Sequence, residues 1–212
     1  MKDIPVFTTD NGVASLAFQQ IPYTGTAHIT IRSTEAFDAF LAECVGFCCA
    51  VGAERILACG HIALDAYPVY TKVLKMQMPM PDQTDLACLF PVTDKSFDMW
   101  LDIYNHAMKN VPNAVILSRQ MGKEIVNQGA AYFVHDKGLV LGIGIADGDT
   151  IHGIASCQKG AGEMVMKSLC GALNGDIVKV EVAENNTPAM NLYHRMGFIV
   201  TDVVKVWYDV TK

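Results

Sequence analysis

The order strand, turn, strand, strand, helix, strand occurs twice along the chain, and nothing else in the sequence restricts the fold as much. In the first pass, residues 4–9 and 13–18 read as strands around the turn Asp10-Asn11-Gly12. An Asn-Gly pair is suited to the positive φ angles of a tight hairpin. Residues 26–32 alternate as a third strand. Ser33-Thr34-Glu35 then opens a helix that carries Phe37, Phe40, Leu41, Cys44, Val45 and Cys48 at helical spacing. Gly52 closes that helix, and residues 54–59 read as a strand. In the second pass the hairpin Ala131–His135, Asp136-Lys137-Gly138, Leu139–Ile145 is followed by strand 150–155, helix 161–173 and strand 177–183. Phe7 matches Phe133, Thr26-Ala27-His28 matches Thr150-Ile151-His152, and Ile56 falls opposite Val180. A mixed α/β fold follows.

The second copy is longer. Before its hairpin come a strand at 86–91, an amphipathic helix Ser96–Met108 and a short helix 117–127. After it come helix 187–196 and strands within 198–209. The segment Met76–Asp85, with Pro79, Pro81 and Asp82, reads as a break in regular structure. A boundary there gives a truncated module at 1–80 and a complete domain at 81–212.

Composition narrows the function. With 51% hydrophobic and 18% charged residues the chain has ample core and is not a disordered segment. A net charge of −6 argues against a general nucleic-acid binder. No run approaches the roughly 18–20 apolar residues of a membrane span, and the first residues carry no apolar signal core, so the sequence reads as a cytoplasmic protein without a membrane partner. The seven cysteines are odd in number and lack paired CxxC spacing, which supports neither a disulfide framework nor a metal site.

Two motifs carry chemistry. Ser156-Cys157-Gln158-Lys159-Gly160-Ala161-Gly162-Glu163 lies between a strand and a helix. Glycines there let backbone N–H groups approach an anion at a helix N-terminus, as a pyrophosphate cradle requires. Further on, Thr187-Pro188 starts a helix and Gly197 stops it. The run Asn186, Ala189, Leu192-Tyr193, Gly197-Phe198 resembles the second half of the GNAT acyltransferase fold, and the element order from about 86 to 209 agrees with that family. One departure is visible: Cys157 stands where the family usually has Gln or Arg.

The resemblance implies a central mixed, mostly antiparallel sheet flanked by helices, with acetyl-CoA as the acyl donor. Ile154, Ser156, Cys157, Gln158, Lys159, Gly160, Ala161 and Gly162 would hold its pantetheine and pyrophosphate, with Asn186 and Tyr193 beside the thioester. An amine, most simply that of a small molecule, would attack between two splayed strands. Tyr193 would protonate the departing thiolate; a phenol, with a pKa of about 10, suits that task. His152 and Glu184 compete as general base, and a water chain is the third option. A non-catalytic acyl-CoA-binding protein and a protein or peptide N-acetyltransferase are the alternatives.

The first copy reads Arg32-Ser33-Thr34-Glu35-Ala36-Phe37 where the second has its glycine loop. It has no glycine there, and Glu35 would repel a phosphate. Residues 1–80 therefore read as a non-catalytic module that extends the sheet, covers the substrate side or makes a dimer contact. His61, Tyr67 and Tyr70 are its candidate cleft residues.

Overall fold

The computed structural model describes residues 6–82 and 87–211. The chain divides into two compact units. The first is Met1–Val73 with Val203–Lys212, and the second is Leu74–Asp202. This differs from a division at 80/81, because two strands pass from one unit into the other. The polypeptide crosses at Val73 and again at Asp202, inside β5 (Val69–Pro79) and β11 (Ile199–Asp209).

The first unit contains β1 (Val6–Thr9), β2 (Gly12–Ala17), a single turn of helix α1 (Ile21–Thr24), β3 (Thr26–Thr34), α2 (Phe37–Ala50), β4 (Arg55–Cys59) and a 3₁₀ turn at Ile62–Ala66. Its strands lie in the order β1-β2-β3-β4-β11. The neighbours β1/β2, β2/β3 and β4/β11 are antiparallel, and β3/β4 is parallel. A parallel pair needs a crossover, and α2 supplies it. The apolar stripe of α2, Phe40, Leu41, Cys44, Val45 and Cys48, is buried against Ala14, Leu16, Ala27, Ile29, Ile31 and Ile56.

The second unit adds β6 (Cys88–Pro91), α3 (Phe97–Met108), α4 (Arg119–Asn127), β7 (Ala131–Asp136), β8 (Leu139–Asp147), β9 (Thr150–Ser156), α5 (Gly162–Cys170), β10 (Ile177–Ala183) and α6 (Thr187–Met196). Its strand order is β5-β10-β9-β8-β7-β6. Here β7, β8 and β9 are antiparallel neighbours, and β9/β10 is parallel with α5 as the crossover. One core joins Val165, Met166 and Leu169 of α5 to Val134, Ile151, Val178 and Val180. The other packs Phe97, Trp100, Leu101 and Tyr104 of α3 onto Phe133, Ile143, Ile145 and Ala155.

The two units share one pairing register at the positions the sequence aligns. Thr26 lies opposite Arg55 and Ala27 opposite Ile56 in one; Thr150 lies opposite Lys179 and Ile151 opposite Val180 in the other. Their hairpin turns differ. Lys137 and Gly138 both have positive φ, 48° and 82°, the geometry of a type I′ turn. Asn11 and Gly12 are not among the positive-φ residues, so the turn expected from that Asn-Gly pair does not form. Gly12 is needed for space instead: a Cβ there would come within 2.6 Å of the Ser33 carbonyl oxygen and 2.9 Å of the Phe40 ring.

The first four residues of the expected break at 76–85 are strand, and 80–82 are irregular. β5 runs to Pro79 and buries Leu74, Met76 and Met78, while Asp85 lies outside the described residues. Strand β6 begins at Cys88; residue 86 of the expected strand, and residues 4 and 5 of the first one, also lie outside them.

Candidate active site

The site begins with a bulge. Ile145 of β8 lies opposite Gly153 of β9, but the next residue, Ala146, lies opposite Ile151. His152 is therefore the extra residue, and it bends β9 at that point. The parallel partner is lost at the same place. β10 pairs with β9 only at Lys179↔Thr150 and Val180↔Ile151, and the two strands then run on without pairing. In the first unit the corresponding pair stays together over five positions, Thr26–Thr30 with Arg55–Cys59. Its bulge comes later, at Arg32, beyond the paired stretch. In each unit the parallel pairing ends before the bulge, after two positions in the second unit and after five in the first.

A cavity of about 570 Å³ opens beside the unpaired end of β9. Ile154, Ala155 and Ser156 form one wall, Gly160, Gly162 and Glu163 another, and Asn186, Pro188, Ala189, Leu192, Tyr193 and Arg195 a third. Ala107, Met108 and Val111 close it from the end of α3. The walls meet closely: a Cβ placed on Gly162 would lie 3.4 Å from both Leu192 Cδ2 and Ser156 Oγ.

Local sequence explains the placement. Gly160 has φ +84°, and a Cβ there would meet nothing within 4 Å, so its surroundings are open. No side chain caps α5, and its first N–H groups are those a helix leaves without internal acceptors. Asn186 caps α6: its Oδ1 accepts the Ala189 N–H at 3.4 Å. At the other end Gly197, in the left-handed conformation, donates to the carbonyls of Tyr193 and His194. Tyr193 is buried, its ring 5.3 Å from that of Phe198, and burial pushes its phenol up to about 12. Glu163 forms an ion pair with Lys167 at 2.8 Å. That hydrogen bond, and to a smaller degree the charge of Arg195, hold its carboxyl below the usual range.

Of the residues singled out from sequence, Ile154, Ser156, Gly160, Gly162, Asn186 and Tyr193 come together around the cavity. The others do not line it. The side chain of Gln158 turns back toward the Val140 carbonyl at 3.5 Å, and Cys157 is tied through its N–H to Leu141. Partial burial raises the Cys157 thiol, which works against a thiolate nucleophile. Lys159 is exposed, and Ala161 is the residue at the N-terminal cap of α5. His152 and Glu184 are both exposed and stand outside the lining. In the first unit His61 stacks on Phe37 at 4.7 Å, Tyr67 packs against the α2 core, and Tyr70 lies under Arg55.

Sequence reading passed over Glu163, Arg195 and the end of α3. The signal for Arg195 was helical periodicity: Pro188, Leu192 and Arg195 share one face of α6.

The architecture can be compared with solved structures. It is similar to a GCN5-related N-acetyltransferase from Anabaena variabilis (TM-score 0.63, 9% identity, 95% of this chain and 60% of that one). It is also similar to one from Sphaerobacter thermophilus (TM-score 0.56, 12% identity, 94% and 77%). A GNAT-family acetyltransferase from Colwellia psychrerythraea matches as well (TM-score 0.51, 11% identity, 96% and 84%). The chain has the GNAT fold. At these identities the GNAT likeness carries the architecture and not the reaction. No model of a known protein family and no curated protein matches the sequence. Among the described residues no helix is long and apolar enough to cross a membrane, and no three His, Cys, Asp or Glu side chains converge as metal ligands.

Proposed function

We propose that this chain is an acyl-CoA-dependent N-acyltransferase that moves an acetyl group from acetyl-CoA to the amine of a small molecule. The observation that carries the reading is the parting of β9 and β10 just past Ile151 and Val180, beside a cavity lined by Ile154, Ser156, Gly160, Gly162, Asn186 and Tyr193. The donor would supply an acyl carbon activated as a thioester. The unpaired edge of β9 from Ile154 to Ser156 offers N–H and C=O groups to the amides of a pantetheine arm. The uncapped start of α5, with the open space at Gly160, suits a pyrophosphate. These features meet the needs of the donor at both ends.

Tyr193 is the proton source. Its phenol, raised to about 12 by burial, stays protonated from neutral to moderately basic pH; the rise weakens it as an acid, and it can protonate the departing thiolate only because the same burial raises the basicity of the sulfur. Neither of the two bases expected from sequence, His152 and Glu184, lines the cavity, and Glu163, which does, is already paired with Lys167. The amine therefore enters neutral or loses its proton to solvent. That same observation favours one alternative, an acyl-CoA-binding protein without turnover.

The test is acetyl-CoA titrated into the full chain, followed by free-thiol release with a panel of small amines. Binding with amine-dependent thiol release supports the enzyme. Binding without release for any amine supports the binding protein. No binding overturns both.

A further inference from the structure

We propose that the first unit carries an oxyanion site of its own, built by Arg32 and Lys205 beyond the end of β4 and suited to a doubly charged phosphate. No residue of the cavity described above takes part, so the site stands apart from the acyl-CoA reading.

One face of this unit's sheet carries its helices. The α2 stripe, Ile21 of α1 and Leu64 of the 3₁₀ turn all pack with Ala14, Leu16, Ala27 and Ile29. The matching outer face of the second unit is covered by α3. The first unit has no counterpart of α3, and its other face is polar. Across it Ser15 lies beside Thr30, and Thr30 beside Cys59. The β4/β11 register, carried one position past Tyr208↔Ala58, brings Trp207 to Cys59, and those two share a small buried cluster. This row forms a floor.

Beyond the floor β4 stops at Cys59. Gly60 has φ +96°, and a Cβ there would lie 2.5 Å from the Ile31 carbonyl oxygen. The chain leaves toward α2, where His61 stacks on Phe37 at 4.7 Å. Its neighbours outlast it: β3 runs on to Thr34, and β11 arrives from Ile199. Past the end of β4 they are two strand spacings apart, about 10 Å. Arg32 stands on one side of this notch and Lys205 on the other.

Both cations are positioned and unspent. The Arg32 Nε donates to Ser15 Oγ at 3.2 Å, which leaves its two terminal nitrogens for an anion. Lys205 Nζ lies 5.0 Å from the centre of the Trp207 ring. Neither forms an ion pair with a carboxylate among the described residues, Glu35 included. Their charges meet at Cys59. Burial raises that thiol, while the Thr30 hydrogen bond, Lys205 and Arg32 pull it down. The thiol donates to Thr30 Oγ1 at 3.6 Å, so the Thr30 hydroxyl keeps its own proton to give. His28, edge-on to Trp207, is lowered to about 4 by burial and by Lys205, and adds no charge at neutral pH. Two cations and one O–H donor match an anion with two charges and several acceptor oxygens.

The experiment is calorimetric titration of inorganic phosphate, and separately of acetate, into the full chain in a buffer free of other oxyanions. Wild type is compared with Arg32→Gln, Arg32→Lys, Lys205→Gln and Gly160→Glu. Arg32→Gln and Lys205→Gln are each expected to weaken phosphate about tenfold or more, at thermal midpoints equal to wild type. Arg32→Lys should recover part of the loss, since it keeps the charge but not the fork. Acetate, with one charge, should bind at least about tenfold more weakly than phosphate. Gly160→Glu, altered only in the second unit, should bind phosphate as wild type does. No phosphate binding by wild type, or unchanged affinity in Arg32→Gln or Lys205→Gln, would overturn the site. Loss confined to Gly160→Glu would put the phosphate in the cavity and overturn it too. Acetate binding as tightly as phosphate would overturn the match to a double charge.

Discussion

At the scale of single residues, the chemistry falls on Tyr193. Tyr193 is buried and lines the cavity, and only its hydroxyl is lost in Tyr193→Phe. Turnover with a good amine should fall by roughly 100-fold, the lower range for loss of a positioned acid, with acetyl-CoA affinity nearly unchanged. The pH dependence has a definite sign. Burial raises the phenol to about 12, so the acid form persists from neutral to strongly basic pH. The rate should climb as the acceptor amine loses its proton and should show no descending limb below about pH 10. His152→Ala and Glu184→Ala should leave both the rate and this profile within about twofold, because neither side chain lines the cavity. Loss of the ascending limb in either variant would make that residue the base after all.

At the scale of elements, each unit's parallel pairing stops short of a bulge, and in the second unit it stops sooner. Deletion of His152 should regularise β9 and let β10 pair beyond Val180, as β4 pairs with β3 through Cys59. The deletion variant should keep a cooperative unfolding transition and lose acetyl-CoA binding by more than about 100-fold. A folded variant that still binds would show that the bulge does not open the site. This feature was not legible in the sequence. Thr150-Ile151-His152-Gly153-Ile154 alternates poorly, but nothing in it says where the partner strand lets go, because a bulge is a property of two strands. What was legible lies in local signals. The amphipathic face of α3, the Thr187-Pro188 start and Gly197 stop of α6, and the apolar stripe of α2 are each written within one segment. β5 was missed because Pro79 and Pro81 read as breakers. They end the strand instead of preventing it, and its inward positions are filled by methionines of weak strand preference. Asn11-Gly12 misled for a related reason: Gly12 is selected by the Phe40 ring and the Ser33 carbonyl, not by the turn.

At the scale of the whole chain, the two units share an element order and a strand register but not an open site. We propose that the first is a truncated copy of the second that carries no cofactor. Fragments test where the second begins. Leu74, Met76 and Met78 are 7%, 0% and 3% exposed, all in the core that packs α5. Burying such side chains is worth about 1.5–3 kcal/mol each, and whole domains are stable by only about 5–15 kcal/mol. A fragment of 81–212 should therefore fail to fold cooperatively, whereas Leu74–Asp202 should show a two-state urea transition. Cooperative unfolding of 81–212 would place β5 outside the folding unit. The most direct test of the account as a whole is a crystal structure of the full chain grown with acetyl-CoA. The account predicts the pantetheine along Ile154–Ser156, the pyrophosphate at Gly160–Gly162, and the thioester between β9 and β10 within reach of the Tyr193 hydroxyl. Acetyl-CoA bound anywhere else, or absent at saturating concentration, would contradict it.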